Sequence, residues 1–336
     1  MRQGEAVTLR QVASHAGVSR QTVSNVLNAP ERVDPATLAK VQAAIEALGY
    51  QPSRTARSLA TRQAGLIGYG LARQAGHSLF MDPFLHAMTE SIERTSRHVL
   101  LFTAPPGVAG LQTYADLIAQ RAVDAFVVSD TVDHDPRHAW LAERGVPFAS
   151  FGRAWPKDGD QPGPWVDVDG AKACAELVTG LHAKGHTRIG FVGWQAPTSA
   201  GSDRQRGWRA ACERLGLDER DCVAVSAEVD STEGGARAAA ELLDSAVPPT
   251  AIVGVSDLLA VGVLNELRRR GLRAGHDIWV TGFDDSLLAA SIGLTSVRQP
   301  IAELAATVVS LLDTPYEDQG VLLPGELVLR TSAPLT

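Results

Sequence analysis

Cysteine is scarce in this 336-residue chain: Cys174, Cys212 and Cys222 are the whole supply. They form no C-x-x-C pair and leave an odd thiol over, which excludes the disulfide framework of a small secreted scaffold and fits a reducing compartment. No apolar run approaches the roughly 18–20 residues that a membrane span needs. The first residues, MRQGEAVTLRQVA, lack the apolar stretch of a secretory signal. Low-complexity tracts and short-period repeats are missing as well. Together these absences point to a cytoplasmic protein without membrane partners. The composition, 45% hydrophobic and 21% charged, is ordinary for a soluble globular chain. Its length is too great for one ordinary core and suggests two or three domains.

Charge becomes informative when the chain is divided. Residues 1–62 carry eight basic side chains against four acidic ones, a net of +4. The other 23 basic and 34 acidic residues leave −11, which accounts for the total of −7. A basic head on an acidic body directs the head toward a polyanion and keeps the body off it.

The head reads as three short helices. Thr8 and Gln11 have capping-box spacing, so a helix starts at Leu9, and Gly17 can take the left-handed conformation that closes it. Ser19 caps a second helix over residues 20–27. Asp34 with Pro35 opens a third, on which Leu38, Val41, Ile45 and Leu48 recur at helical spacing before Gly49 stops it. Val12, Ala13, Val18, Val23 and Val26 supply the seam of a helix-turn-helix, with Arg20, Gln21, Ser24 and Asn25 facing outward. An outward Arg-Gln pair at a helix start suits major-groove reading, since Arg forks onto guanine and Gln onto adenine.

The motifs VTLRQVA, AGVS, TVSNVLN, ALGYQPS and RSLA lie in this order within residues 7–60, and the stretch closely resembles the head of the lactose-repressor (LacI) family, whose motifs fall in the same order with no gap. The resemblance implies that Arg20, Gln21 and Asn25 read bases, with Thr8, Ser19, Thr22 and Ser24 also at the DNA surface. It implies a hinge helix within residues 51–62, bearing Arg54, Ala56, Arg57 and Leu59. There Leu59 matches the leucine that wedges into the minor groove, and Ala56 the small position where two hinge helices touch across the dimer axis.

Beyond the head, short apolar runs at 66–71, 99–103, 125–129, 147–151, 188–192, 251–255 and 278–281 alternate with helical stretches at 84–97, 171–184, 206–215, 235–245 and 258–270. Such alternation implies parallel sheets with helices on both faces. The turn-rich Gln161-Pro162-Gly163-Pro164 divides two sets of strands. Two doubly wound lobes would place a ligand cleft between them, at the carboxyl ends of the strands. The expected architecture is a small all-α helix-turn-helix head plus a two-lobed α/β sensor. The assigned ranges are 1–50 for the head, 51–62 for the hinge, and 63–336 for the sensor. Within the sensor, the first lobe takes 63–162 and 297–323, and the second 163–296 and 324–336.

The resemblance continues through WVDVDGAKACAELVTGLHAKGHTRIGFVG, SDRQRGW, SDLLAVG, DIWVTGFDDS and LTSVRQP. It implies the periplasmic-binding-protein fold used as a sensor, crossed three times by the chain. Arg204 matches the arginine that grips the effector, and Asp257 an acid that accepts from ligand hydroxyls or amines. Trp155 and Trp194, with Trp165, fall in loops beside the expected cleft and offer apolar faces to a sugar ring. Phe84 and Arg153 complete the expected effector site. The chain departs from the family at FGRAW, where Gly152 and Arg153 follow a strand that often precedes an acid, at Val229-Asp230, and at MDPFLHAM. Effector identity, and whether the effector releases or tightens DNA binding, therefore stay open.

The resemblance thus implies a transcriptional repressor that binds palindromic operator DNA as a homodimer and answers to a saccharide, in the cytoplasm at the nucleoid. The end LVLRTSAPLT carries no leucine heptads, so dimers are expected over tetramers. No cofactor, metal or catalysis is expected. Gly68-Tyr69-Gly70 lacks the third glycine of a dinucleotide fingerprint, and Gly254-Val255-Ser256-Asp257-Leu258 lacks the last glycine of a nucleophile elbow. Asp167 and Asp169 are too few for a calcium loop. Gly185 interrupts the helix that would align His182 with His186. An enzyme with a DNA-binding appendage would need a catalytic constellation the sequence does not offer. A transport binding protein would need an export signal and no such head.

Overall fold

The computed structural model describes residues 7–50, 63–72, 79–105, 107–155, 162–195, 198–314 and 320–335. It falls into two units, Met1–Ala64 and Gly65–Thr336.

The first unit holds α1 (Leu9–Ala16), α2 (Arg20–Asn28) and α3 (Pro35–Leu48). At α1 the Thr8 hydroxyl accepts from the Gln11 N–H, while Gln11 Oε1 accepts from the Thr8 N–H at 2.7 Å. Gly17, at φ 61°, ends the helix. Ser19 caps α2 through the Thr22 N–H at 3.0 Å, and Asp34 caps α3 through the Ala36 N–H at 2.9 Å. Isolated helices this short are marginal in water, so a shared core must hold them. That core is Val12, Ala13, Ala16, Val23, Val26, Val41, Ala44 and Tyr50, all buried. The hinge assignment at 51–62, with Arg54, Ala56, Arg57 and Leu59, lies outside the described residues.

The second unit contains two six-stranded sheets. In chain order its elements begin β1 (Leu66–Ala72), α4 (Met81–Glu93), β2 (His98–Ala104), α5 (Leu111–Ala119), β3 (Ala125–Val128), α6 (Pro136–Glu143), β4 (Phe148–Phe151) and β5 (Trp165–Val168). There follow α7 (Gly170–Ala183), β6 (Ile189–Trp194), α8 (Ser199–Arg214), β7 (Ala224–Ala227), α9 (Thr232–Leu243), β8 (Ala251–Gly254) and α10 (Asp257–Arg269). The chain closes with β9 (Trp279–Asp284), α11 (Leu287–Ile292), β10 (Thr295–Arg298), α12 (Ile301–Leu311), β11 (Gly320–Leu323) and β12 (Glu326–Val328).

The first sheet runs β11-β5-β4-β3-β1-β2 and is parallel throughout. The second runs β12-β10-β9-β8-β6-β7, parallel except for β12 against β10. Central strands β3 and β8 are buried along their whole length, as parallel strands covered on both faces must be. Helices pack closely where glycine allows it: a Cβ on Gly207 would run into the Ala171 carbonyl of α7, and one on Gly235 into the Leu259 carbonyl of α10.

One expected boundary moves. Residues 163–168 were assigned to the second lobe, yet β5 pairs with β4 and β11 in the first sheet. Pro162-Gly163-Pro164 leads into β5 within the first lobe, and the first crossing follows Val168. The other crossings follow β10 and β11, so the chain passes between lobes three times. Strands β5, β7, β10, β11 and β12, of three or four residues each, carried too little periodic signal to be read from sequence.

Candidate functional site

In the first unit, Arg20, Gln21 and Asn25 stand exposed on α2, while Thr22 and Ser24 are half-buried. Gln21 Nε2 donates to Asn25 Oδ1 at 2.9 Å, one helical turn along. The pair presents a pre-oriented amide edge beside a free-standing guanidinium. Thr8 and Ser19 are committed to capping: their hydroxyls take up the Gln11 and Thr22 N–H groups at the starts of α1 and α2.

In the second unit, the carboxyl ends of the second sheet gather a buried cluster around Arg204 of α8. Its side chain is 7% exposed, and Nη1 donates to the Val255 carbonyl at 2.6 Å. The guanidinium lies 3.6 Å from the centroid of the Phe283 ring and 5.6 Å from that of Trp194. Asp284 Oδ1 sits 3.8 Å from Arg204 Nη1 and accepts from Gln299 Nε2 at 2.6 Å. Burial pushes the Asp284 carboxyl up to about 7; Arg204 pulls it down, while Asp257 and Asp230 push it further up. Its φ of 115° is a left-handed conformation that a non-glycine residue holds only where the surroundings enforce it. Strained backbone of this kind collects at binding sites.

Asp257 occupies a different position from the one its motif suggested. It is fully buried, with Oδ2 accepting from the Ser286 N–H at 2.7 Å and Oδ1 from the Ser296 hydroxyl at 2.6 Å. A Cβ on Gly282 would collide with Oδ1. The carboxylate therefore fastens α10 to the turn after β9 and to β10, and the acid facing Arg204 is Asp284. The GFDD run did carry a signal for this, an acid at the last position of a strand.

Several contacts join the two lobes along the start of α8. The Ser199 N–H donates to the Thr131 carbonyl at 3.1 Å, and Val132 forms an antiparallel bridge with Thr198. The Ser202 hydroxyl donates to Asp133 Oδ2 at 3.0 Å. Arg153, in the loop after β4, donates through Nε to Asp167 at 2.9 Å and through Nη2 to Asp203 of α8 at 3.0 Å. Asp203 also takes Arg206 Nη2 at 3.1 Å and the Ala171 N–H at 3.0 Å. Arg153 is thus the centre of an ion network across the lobes.

The expected aromatics behave differently from one another. Phe84 is fully buried between Phe151, Phe80 and Tyr69, in the core of the first lobe, so it is packing and not a ligand wall. Trp155 has the guanidinium of Arg153 at 4.1 Å and that of Arg206 at 4.2 Å from its ring centroid, so its π-surface is already engaged by cations. Trp165 opens strand β5 and is not in a loop. Trp194 ends β6 and stays half-buried beside Arg204. The indole N–H groups of Trp155 and Trp194 are shielded from water without a protein acceptor, and Asp133 Oδ1 is likewise unpartnered. Buried polar atoms of this sort are rare, and a ligand oxygen or hydroxyl is a natural complement.

His182 and His186 do not converge: the His186 ring pairs with the Thr250 hydroxyl at 3.0 Å. Among the described residues no cluster suits a metal ion, and no helix is long and apolar enough to cross a membrane.

Residues 8–53 match the profile of the bacterial regulatory proteins of the lacI family, and residues 178–333 that of a periplasmic binding protein-like domain. The HTH-type transcriptional regulator CelR of Thermobifida fusca is 33% identical over 91% of this chain and 90% of its own length. The chain belongs to the lacI family. It is a helix-turn-helix transcriptional regulator with a two-sheet periplasmic-binding-protein-like body. The ribose operon repressor of Escherichia coli strain K12 is 31% identical over 91% of this chain and 92% of its own. A solved lac repressor dimer bound to operator and the anti-inducer ONPF superposes with a TM-score of 0.83 at 26% identity, covering 98% of this chain and 99% of that one. A CelR–cellobiose complex superposes at 0.71 with 28% identity, covering 97% and 99%. This lacI-family regulator therefore shares nearly all of its length with both.

Proposed function

We propose that this regulator is a repressor that binds palindromic operator DNA as a homodimer and is switched by a saccharide held between its lobes. The observation that carries the reading is the Arg204–Asp284 pair at the carboxyl ends of the second sheet. A planar donor and an acceptor, both shielded from water, can order the hydroxyls of a sugar by paired hydrogen bonds. Trp194, half-buried beside Arg204, supplies apolar surface for such a ring to pack against. The relatives support the class: one was solved with cellobiose, another is a ribose operon repressor, and another was solved as a dimer on operator.

Arg20, Gln21 and Asn25 would read base edges. By family resemblance, residues 51–62 would form the hinge, with Leu59 as its minor-groove wedge and Arg54 and Arg57 on phosphates. The protein would act in the cytoplasm by binding alone, without catalysis. A ligand that favours one closure angle shifts DNA affinity only through its difference in affinity for two conformations. Tenfold needs about 1.4 kcal/mol.

The test is a thermal-shift screen of the full chain against mono- and disaccharides, followed by operator anisotropy with and without each hit. At least one saccharide should raise the melting temperature and change operator affinity, and Arg204→Met should abolish both effects. Stabilisation only by nucleosides or amino acids, or a full response retained in Arg204→Met, would overturn the reading.

A further inference from the structure

The carboxyl edge of the second sheet brings together residues from four neighbouring strands. In the spatial order β7-β6-β8-β9, Asp230 follows the first and Trp194 ends the second; Val255 and Ser256 follow the third, and Asp284 ends the fourth. Val255 and Ser256 have separate tasks. The Val255 carbonyl takes Arg204 Nη1 at 2.6 Å, while the Ser256 hydroxyl donates to Asp230 Oδ1 at 2.7 Å. One two-residue segment therefore holds an arginine from α8 and an acid from the end of β7. Adjacent strands lie about 4.8 Å apart, so the anchor of Asp230 and the strand that carries Asp284 are a single spacing apart.

Asp230 is half-buried and falls at one of the places where the chain departs from its family. Ser256 is 2% exposed and caps α10 by accepting from the Leu259 N–H at 3.2 Å, which roots the bond to Asp230 in a fixed turn. Among the described residues no donor meets the second oxygen of Asp230, nor Oδ2 of Asp284. Asp257 differs, since Ser286 and Ser296 occupy both of its oxygens. Two acids at one sheet edge thus keep an open acceptor each, and a carboxylate can only accept. Arg204 has further N–H groups beyond Nη1, and the Trp194 indole N–H has no acceptor. A hydroxyl, which both donates and accepts, satisfies acids, guanidinium and indole alike. A phosphate or carboxylate brings only acceptors and sets negative charge against the two acids, while an ammonium would meet Arg204; like charges brought together suppress wrong partners.

We propose that Asp230 binds the effector directly and, with Asp284, restricts the site to neutral saccharides, turning away sugar phosphates and sugar acids. The inference rests on the saccharide reading above and narrows it. Asp230 and Asp284 accept from separate hydroxyls of one sugar, and Arg204 donates to another of its oxygens. Ser256 orients the Asp230 carboxylate and does not itself touch the sugar, because its hydroxyl is already committed to Asp230 and the α10 cap.

The test is calorimetric titration of the full chain with matched pairs: cellobiose and cellobiose 6-phosphate, glucose and glucuronate, ribose and ribose 5-phosphate. In wild type, binding should be confined to neutral members. Asp230→Asn keeps an oxygen for the Ser256 hydroxyl, removes the charge and turns the open acceptor into a donor. It should weaken the bound neutral saccharide about tenfold or more and narrow the gap to its anionic counterpart. The melting temperature and the ligand-free operator affinity should not change. A phosphate or uronate bound by wild type as tightly as its neutral counterpart would overturn the charge restriction. A neutral saccharide bound equally by wild type and Asp230→Asn, or weakened only together with the melting temperature, would remove Asp230 from the site and leave the saccharide reading standing. Failure of every pair to bind wild type would remove both.

Discussion

The reading helix and the sensor site use polar side chains in opposite ways. On α2, Arg20, Gln21 and Asn25 stand in water and contribute little to the fold, which rests on the apolar seam beneath them. Around the start of α8, Asp167, Asp203, Arg204 and Asp257 are buried, and the charges of the site are held by fixed partners: Arg204 by Val255 and Phe283, Asp257 by Ser286 and Ser296, Arg153 by Asp167 and Asp203. Charges are rarely buried unless paired, so a site built this way couples binding to stability. Recognition is separable from folding in the head and inseparable from it in the body.

The sharpest way to break that comparison is Asp257→Ala. It strands the Ser286 N–H and the Ser296 hydroxyl in a dry interior, and leaving buried polar groups unmade costs about 1–3 kcal/mol each. A clear fall in melting temperature without any ligand is expected. An unchanged melting temperature, with ligand response alone lost, would return Asp257 to the ligand and refute its structural role.

Arg20→Ala tests the other side. It should cost about 1–3 kcal/mol in operator affinity and relax preference at one base position. The thermal stability of the chain should not move, because the side chain is exposed on α2. Equal binding to cognate and scrambled DNA before and after substitution would show that α2 does not read sequence.

Asp284 gives a pH signature. Its carboxyl is raised to about 7 in the fold from an ordinary 3.8. The folded state therefore holds a proton that the unfolded chain has released, and this group's contribution to stability falls as pH rises from about 4 to 7. Asp284→Asn removes the titration. The difference in melting temperature, variant minus wild type, should grow across that window and level off above it. A difference independent of pH would place an ordinary carboxyl there.

The smallest effect is expected at Ser202→Ala, which deletes the single side-chain bond to Asp133 across the lobes. It should shift lobe closure by about 0.5–1.5 kcal/mol, measured as a change in the interlobe distance distribution by fluorescence energy transfer.

Sequence carried the head almost to the residue. The first helix begins at Leu9 and the third at Pro35, as Thr8-x-x-Gln11 and Asp34-Pro35 indicated, because capping is a local matter of neighbouring atoms. The long body helices were legible too, although α8 begins at Ser199, seven residues before the expected start, with buried Ser199, Asp203 and Arg204 hiding its polar first turns among core positions. Residues 163–168 went to the wrong lobe because nothing local distinguishes a strand's neighbours; β5 is first-lobe only through its pairing with β4 and β11.

The division at the site has the same cause. Residue order alone determined that the chain has a basic helix-turn-helix, an acidic doubly wound body, and Arg204 among the polar groups at strand ends. Only the tertiary structure decided which acid faces it. Asp257 and Asp284 lie 27 positions apart and look alike as residues. The fold gives one to Ser286 and Ser296 and turns the other, on strained backbone, toward the guanidinium. Hydrogen-bond partners distant in sequence are chosen by packing, and packing is a property of the whole chain.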